Sequence, residues 1–251
     1  MAEPQHLDTP QGRRIAFHRT EGTGPMVVFL GGLRSDMDGT KALHLEAWAR
    51  ARGRAFLRFD YSGHGQSSGT FEEGAIGDWA EDAAAVLAAL TDGPLVLVGS
   101  SMGGWQALLA ARAQPDRLAG LVTVAAAPDF TEDGMWAEFT EAQKREVMEE
   151  GRTALPSDYG APMVVTRRLI EDGRRHLMLR APLSLPMPVR LLQGTEDADV
   201  DMSVALRLLA HAEGPDIRLT LVKGADHRFS TPDCLAMIVA AIDEVSGEAR
   251  A

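Results

Sequence analysis

The segment LVLVGSSMGGW, residues 95–105, decides the fold because it joins an apolar run to a helix-forming run through a turn of small residues. Gly99, Ser101 and Gly103 occupy the fixed places of the pattern G-x-S-x-G. Between a strand and a helix, this pattern holds a nucleophilic serine at the carboxyl end of the strand, because the tight turn leaves no room for side chains two residues away. The register selects Ser101 as the nucleophile and leaves Ser100 as a small neighbour.

Short apolar runs alternate with helix-like runs along most of the chain. Continuous apolar runs are typical of strands covered on both faces. Their alternation with helices predicts an α/β fold with a mostly parallel central sheet. Residues 14–18 alternate in polarity, and we expect them to form an edge strand. The other predicted strands are residues 26–30, 55–59, 95–99, 121–126, 189–193 and 217–222. The predicted helices are residues 40–53, 78–90, 102–115, 200–214 and 234–245.

The alternation stops between residues 129 and 187. This segment contains no convincing strand, and residues 135–151 and 161–179 have the polarity pattern of amphipathic helices. We therefore expect residues 1–128 and 188–251 to form one core. The insertion between them, residues 129–187, is expected to be a helical lid over one end of the sheet.

Composition and charge disfavour several classes of partner and site. The chain has 251 residues and a net charge of −11, which disfavours nucleic acids and anionic membrane surfaces. Its one cysteine, Cys234, cannot form an intrachain disulfide. No apolar stretch has the length needed for a membrane span, and the N-terminal residues lack a signal core. Because the sequence has no signal core and no membrane span, we expect a cytoplasmic protein. No residues occur at zinc-ligand spacing, and we expect no cofactor or metal.

A serine needs a base within hydrogen-bond reach and an acid that orients the base. In this strand–turn–helix setting the chain order is serine, acid, histidine. Asp197 follows the strand-like residues 189–193, and His227 follows the last strand-like run. We therefore expect Asp197 and His227 to complete the triad. Asp199 and Asp129, which also follow strand-like runs, stay open as alternative acids, and His64 stays open as an alternative base.

Two backbone N–H groups are expected to bind the oxyanion that forms on the substrate. One belongs to Met102, which directly follows the serine and opens the predicted helix. The other belongs to Leu33, in the loop after the strand at residues 26–30. Gly31 and Gly32 would let that loop approach the substrate closely.

Four apolar residues of the predicted lid are candidates for the wall of a substrate pocket. The alternative is that they bury the apolar face of the lid itself. Four lid arginines could likewise bind a substrate carboxylate or lie on a solvated face. The apolar candidates are Met135, Trp136, Phe139 and Met163, with Val164 and Val165 beside them. The arginines are Arg167, Arg168, Arg174 and Arg175.

Together these motifs resemble the α/β-hydrolase superfamily over nearly the whole chain. The turn at residues 99–103 that holds Ser101 is called the elbow below. Beyond this elbow, the most specific likenesses are DGTKALHLEAWARARG (residues 38–53), RFDYSGHGQSSG (58–69) and GTEDADV followed by ADHR. They resemble most the branch that includes palmitoyl-protein thioesterases and acyl-glucuronide esterases, with its bacterial relatives. The resemblance implies a triad of Ser101, Asp197 and His227.

The resemblance also implies the chemistry. We expect a serine hydrolase that cleaves carboxylic esters or thioesters through an acyl-enzyme, acting on a small-molecule or acyl-protein substrate. Lactonase, perhydrolase and C–C hydrolase chemistry use the same triad and stay open. A non-enzymatic ligand-binding module is a further alternative, although such modules often lose a triad residue. Because the N-terminal residues do not resemble a mitochondrial leader, we expect a bacterial cytoplasmic setting.

Overall fold

An eight-stranded sheet forms the centre of the molecule in the computed structural model, which describes residues 3–156 and 162–247. Two short pairs of strands lie outside the sheet, and one of these pairs is antiparallel and the other parallel. In chain order the strands are β1 (Gln5–Asp8), β2 (Arg14–Thr20), β3 (Thr23–Leu30), β4 (Arg54–Phe59), β5 (Leu95–Ser100), β6 (Leu118–Val124), β7 (Arg152–Leu155), β8 (Met163–Thr166), β9 (Leu183–Ser184), β10 (Val189–Gly194), β11 (Ala212–Glu213) and β12 (Ile217–Val222).

Helices connect the strands and cover both faces of the sheet. Within the described residues, none of them has both the length and the apolar character needed to cross a bilayer. The α-helices are α1 (Thr40–Ala51), α2 (Ile76–Leu90), α3 (Met102–Ala113), α4 (Glu141–Arg145), α5 (Arg167–Gly173), α6 (Met202–His211) and α7 (Pro232–Val245). Short helical turns of other types occur at Phe71–Glu73, Pro115–Arg117, Thr131–Trp136, Glu146–Glu150 and Arg174–His176.

The order of strands in the sheet is β1-β2-β4-β3-β5-β6-β10-β12. In this sheet order, the six strands β4-β3-β5-β6-β10-β12 pair in parallel. At one edge, β1 pairs antiparallel with β2, and β2 pairs antiparallel with β4. The mostly parallel sheet is therefore as predicted, but residues 14–18 are not its edge. The strand β1 pairs with them and takes the edge position. Its sequence, QHLD, is short and mostly polar, so it contains no apolar run that would predict a strand.

Two apolar layers hold the helices to the sheet. On one face α1 and α7 contribute residues such as Leu45 and Ile238 to a buried layer with Val98. On the other face α2 and α3 contribute Trp79 and Trp105. Since both faces are covered, the strands between them can be apolar throughout, which is why the sequence shows continuous runs rather than alternation.

The chain leaves the sheet after β6 and returns to it at β10. The division into a core and an insertion at residues 129–187 stays a prediction. The prediction that this segment contains no strand is wrong, because β7 and β8 pair antiparallel within it. The predicted helix at residues 161–179 begins only at Arg167, where Thr166 caps it by accepting a hydrogen bond from the N–H of Leu169. The β-branched run Val164–Val165–Thr166 before the cap favours an extended backbone. Part of that predicted helix, at residue 161, lies outside the described residues.

The other predicted lid helix, residues 135–151, is also interrupted. The backbone is helical up to residue 138, and a new helix, α4, begins after Thr140. A capping box causes the restart: Thr140 Oγ1 accepts from the N–H of Gln143, and the Gln143 side chain accepts from the N–H of Thr140. Whether residues 129–187 act as a lid stays a prediction.

Candidate active site

Ser101 lies at the turn between β5 and α3, in a conformation that few residues adopt. Its φ is 55° and its ψ is −121°. A Cβ added at Gly99 would lie 2.2 Å from the carbonyl oxygen of Gly103, and one added at Gly103 would lie 2.0 Å from the carbonyl oxygen of Leu30. Both positions therefore require glycine, and the turn presents the serine at the carboxyl end of β5.

Three side chains from three strand ends form one hydrogen-bonded chain. Ser101 Oγ lies 3.1 Å from His227 Nε2, and His227 Nδ1 lies 2.9 and 3.0 Å from the two carboxylate oxygens of Asp197. Asp197 follows β10 and His227 follows β12, and these strands are neighbours in the sheet. The structure thus brings together the three residues that the sequence singled out, although they span 126 positions of the chain.

The carboxylate of Asp197 is fully buried and surrounded by donors. Besides His227, it accepts the backbone N–H groups of Asp199 and Val200 and the side-chain amide of Gln193, at 2.8 to 3.0 Å. Burial alone would raise the pKa of Asp197. The hydrogen bonds from His227, Val200 and Gln193 outweigh burial and hold the pKa below its ordinary value. Asp197 is therefore ionised at neutral pH and able to stabilise a protonated histidine.

The loop after β3 contacts the elbow. A Cβ added at Gly32 would lie 3.3 Å from Cβ of Ser101. Within the described residues, the backbone N–H groups of Leu33 and Met102 have no intramolecular acceptor. Met102 is the first residue of α3, where a backbone N–H has no partner inside the helix and the helix dipole favours negative charge. Both groups are therefore available to a ligand, and their role as oxyanion donors stays a prediction.

Asp129 has a different set of partners. Its carboxylate is fully buried and accepts the N–H groups of Met178 at 2.6 Å and Leu179 at 3.0 Å. It also accepts the guanidinium of Arg180 at 3.1 Å. These contacts join the start of the inserted segment to its end, so we assign Asp129 a structural role rather than that of the acid.

The alternative base and the alternative acid also lie in other settings. His64 packs among the rings of Tyr61, Phe71 and Trp79, and its Nδ1 lies 3.1 Å from the carbonyl oxygen of Ser62. Burial lowers its pKa. Asp199, the alternative acid, is exposed and lies two residues after Asp197. It donates its backbone N–H to the Asp197 carboxylate. Neither finding favours the alternative over the residues predicted first.

One group of metal-ligating side chains occurs in the part of the chain that the structure describes. Ligand atoms of Asp197, Asp199 and His227 lie within 4.8 Å of one another. However, His227 Nδ1 and the Asp197 carboxylate are hydrogen-bonded to each other, which leaves Nε2 facing Ser101. A metal at this place would have to displace the contact between acid and base, so the group supports proton transfer better than metal binding.

Comparison with known proteins identifies the family. A family model described as the alpha/beta hydrolase fold matches residues 25–165. Palmitoyl-protein thioesterase ABHD10 of Bos taurus is 34% identical over 244 residues, which cover 95% of this chain and 78% of that protein. The structure of alpha/beta hydrolase domain-containing protein 10 from mouse aligns with a TM-score of 0.89 and 31% identity, over 97% of this chain and 98% of that one.

A crystal structure of a protein from Agrobacterium vitis S4 is also similar, with a TM-score of 0.93 and 38% identity over 97% of this chain and 98% of that one. The chain belongs to the alpha/beta hydrolase family. The fold class and the family resemblance predicted from the motifs are thereby confirmed. The bovine relative is named as mitochondrial, so the cytoplasmic and bacterial setting stays a prediction for this hydrolase.

The apolar candidates in the inserted segment of this hydrolase pack against its core. Phe139 is 6% exposed and Met135, Trp136 and Met163 are half-buried against the same apolar layer. The Trp136 ring lies under the guanidinium of Arg174, 4.7 Å from its centroid. These contacts account for their apolar character, and any contact with a substrate stays a prediction.

The four arginines that the sequence analysis singled out in the inserted segment all have acidic partners. The pairs are Arg167 with Glu171, Arg168 with Asp78, Arg174 with Glu132 and Arg175 with Asp172. Of these, Arg168 joins the inserted segment to α2, because both oxygens of Asp78 accept from its guanidinium. Pairing of this kind favours a structural role over binding of a substrate carboxylate.

Two residues near the site were missing from the sequence predictions. Gln193 is a buried amide and the next-to-last residue of strand β10. Its position directly after the apolar residues Leu191 and Leu192 was the available signal. Asp60 directly follows β4 and accepts the N–H of Met37 at 2.6 Å and of Gln66 at 2.8 Å. It thereby connects the loop after β3 to the loop after β4.

Proposed function

We propose that the protein hydrolyses carboxylic esters or thioesters, with Ser101 as nucleophile, His227 as general base and Asp197 as the acid that orients it. The observation that carries the proposal is the continuous chain of hydrogen bonds from Ser101 Oγ through the imidazole to the Asp197 carboxylate. The relatives named as palmitoyl-protein thioesterases support cleavage of acyl bonds.

In this mechanism His227 Nε2 takes the proton of Ser101 as Oγ attacks the acyl carbonyl. The ionised Asp197 stabilises the imidazolium that forms. The N–H groups of Leu33 and Met102 bind the oxyanion of the tetrahedral intermediate. His227 then gives its proton to the leaving alcohol or thiol, which leaves the acyl group bound to Ser101. Next, His227 takes a proton from water as the water attacks this acyl-enzyme, and it returns the proton to Ser101 Oγ as the carboxylic acid leaves.

Substrate choice would be set by residues 129–187, which we propose act as a lid over the serine. Met135, Trp136, Phe139 and Met163 are the proposed wall of an acyl pocket, although each of them also packs against the core. The relatives' name suggests a palmitoyl thioester of a protein as one substrate class. A small-molecule ester is the other class that the same chemistry would serve.

The test measures hydrolysis of paired p-nitrophenyl esters and acyl thioesters from acetyl to palmitoyl. We expect wild type to turn over both series and Ser101→Ala to lose turnover, whereas the matched variant Ser100→Ala keeps it. A fluorophosphonate probe should label wild type and Ser100→Ala but not Ser101→Ala. Retained turnover in Ser101→Ala would assign the nucleophile elsewhere, and a wild type that neither hydrolyses nor labels would favour a ligand-binding module.

The chain-length profile tests the substrate class separately. Faster cleavage of palmitoyl thioesters than of short acyl thioesters would support a protein depalmitoylase. Much faster cleavage of short acyl chains would contradict that substrate class while leaving the hydrolytic mechanism in place.

A further inference from the structure

Lys41, in the first turn of α1, contacts the loop that contains His227. Its Nζ donates a hydrogen bond to the carbonyl oxygen of Arg228 over 2.6 Å. Arg228 directly follows His227, and α1 directly follows the loop at residues 31–39. One side chain therefore joins the segment with a proposed oxyanion donor to the segment with the proposed base.

The loop around His227 is a tight turn with a strained residue. The N–H of Phe229 donates to the backbone carbonyl of Asp226 at 3.2 Å and to its Oδ1 at 3.1 Å. Phe229 is fully buried and has a φ of 49°, in the left-handed region that disfavours a large side chain. Such a conformation persists only where neighbouring contacts fix it. The carbonyl of Arg228 lies within this turn, so the direction in which it points is coupled to the position of His227.

Two donors fix that carbonyl. Ser230 Oγ donates to it at 2.8 Å from within the loop, and Lys41 donates from a different element. Lys41 is partly buried, and burial of an ammonium costs free energy unless it is well paired. Burial lowers the pKa of Lys41, and the neighbouring carboxylate of Asp226 opposes that effect. The residue is therefore held in place by specific partners rather than by chance surface contact.

Lys41 also lines a cavity of about 70 Å³ next to the loop after β3. Other residues that line this cavity include Gly31, Gly32, Ser35 and Ser100.

We propose that Lys41 is a positioning residue for the proposed hydrolysis, because its contact with the Arg228 carbonyl sets the distance between His227 and Ser101. The inference rests on the proposed function. Proton transfer needs the two atoms close to the 3.1 Å observed, and a misplacement of about 1 Å can cost on the order of a hundredfold in rate. Loss of the lysine contact would let the turn relax and move the imidazole.

The test compares wild type with Lys41→Met, Lys41→Arg and Lys223→Met. Lys223 is exposed and lies just after β12, so it controls for removal of a lysine charge near the same loop. We expect Lys41→Met to lower kcat for a p-nitrophenyl ester roughly tenfold to a hundredfold, with KM changed less than about twofold. Lys41→Arg, which keeps the donor, should recover part of kcat. Lys223→Met should equal wild type.

A spectroscopic measurement separates this proposal from the proposed function. The proton on His227 Nδ1, hydrogen-bonded to Asp197, is expected to give a downfield proton NMR signal that needs no substrate. Lys41→Met should shift or broaden it, and Lys223→Met should not. An unchanged signal with wild-type kcat would overturn the positioning role. Absence of any hydrolysis by wild type would instead contradict the proposed function, and the NMR result would still decide whether Lys41 positions His227.

If Lys41→Met does not fold, Ser230→Ala removes the other donor to the same carbonyl without changing a charge. We expect it to lower kcat by a smaller factor, again with little change in KM. A Ser230→Ala variant with unchanged kcat and an unchanged downfield signal would show that the Arg228 carbonyl does not control His227.

Discussion

The side-chain amide of Gln193 donates a hydrogen bond to Oδ2 of Asp197 over 2.9 Å. The same amide also lies 3.3 Å from the carbonyl oxygen of Gly194 and 3.1 Å from that of Val200. Gln193 is fully buried at the end of β10. The carboxylate proposed to orient His227 is therefore fixed by the sheet itself as well as by its own loop.

Replacement of Gln193 by methionine should lower kcat about tenfold and leave KM nearly unchanged, since a hydrogen bond to a charged group contributes about 1.5–3 kcal/mol. Because the amide helps to lower the pKa of Asp197, its loss should raise that pKa and weaken the stabilisation of the imidazolium that forms during the reaction. The measurement is kcat and KM at neutral pH. Gln106→Met is the control, because the Gln106 amide donates to Ile76 rather than to the site. Equal effects of the two variants would contradict the prediction.

Asp197 and Asp129 should respond differently to the same change. Asp197→Asn should lower kcat on the order of 10⁴-fold, because an amide favours the wrong tautomer of the histidine. Asp129→Asn should instead lower the free energy of unfolding by about 2 kcal/mol, since one amide oxygen replaces a carboxylate that accepts three donors. Steady-state kinetics and urea unfolding of both variants make the comparison. A larger loss of kcat in Asp129→Asn would reassign the acid.

Asp60 should make stability depend on pH. Burial raises its pKa from 3.8 to about 6, and the charges of Asp36 and Asp38 add to the shift, while the N–H groups of Gln66 and Met37 oppose it. The folded state therefore binds a proton more tightly than the unfolded state. Its contribution to stability is fully present below about pH 3.8 and is lost as the pH rises through about 6.

In urea unfolding between these pH values, the loss attributable to Asp60 should be on the order of 2 kcal/mol, since one pKa unit corresponds to about 1.4 kcal/mol and solvent screens part of the shift. Asp60→Asn cannot titrate, so its stability should fall less steeply than that of wild type over the same range. Parallel curves for the two proteins would show that Asp60 keeps an ordinary pKa.

Local and topological rules predict the three residues that the structure brings together in the candidate site. The glycines around Ser101 report a turn that tolerates no side chain, and Asp197 and His227 follow apolar runs that end at the same edge of a parallel sheet. These three positions could be found because the constraint on each is local, or is fixed by strand order. Their convergence was a prediction that the geometry supports, and their chemical roles stay predictions.

Other features depend on contacts that a single sequence does not reveal. The pairing of β7 with β8 is a contact between two separate short segments. The helical periodicity of the residues that follow Val164 and Val165 favours a helix there, so the sequence pattern does not predict the strand. Gln193 occurs inside an apolar strand, where the pattern shows that it is buried but not that its amide faces Asp197. Lys41 contacts Arg228 across 187 positions of the chain, a separation that local patterns cannot bridge.

Substitution of the elbow glycine tests whether this turn holds the fold and the serine together. A Cβ on residue 103 would lie 2.0 Å from the carbonyl oxygen of Leu30 and 2.5 Å from that of Gly31. Both are backbone atoms that cannot rotate away, so β3 and α3 would have to separate. We expect Gly103→Ala to lower the free energy of unfolding by about 3 kcal/mol, or roughly 6–12 °C in Tm for a protein of this size.

The folded fraction of Gly103→Ala should also hydrolyse esters slowly, because the same displacement moves Ser101 and the Met102 N–H. Gly31→Ala is the matched control for stability, since a Cβ at residue 31 would meet nothing within 4 Å. Thermal unfolding of both variants and fluorophosphonate labelling of Gly103→Ala against wild type give the two readouts. Wild-type stability and labelling in Gly103→Ala would mean that the strand and the helix do not need their close approach, and that the G-x-S-x-G spacing has another cause.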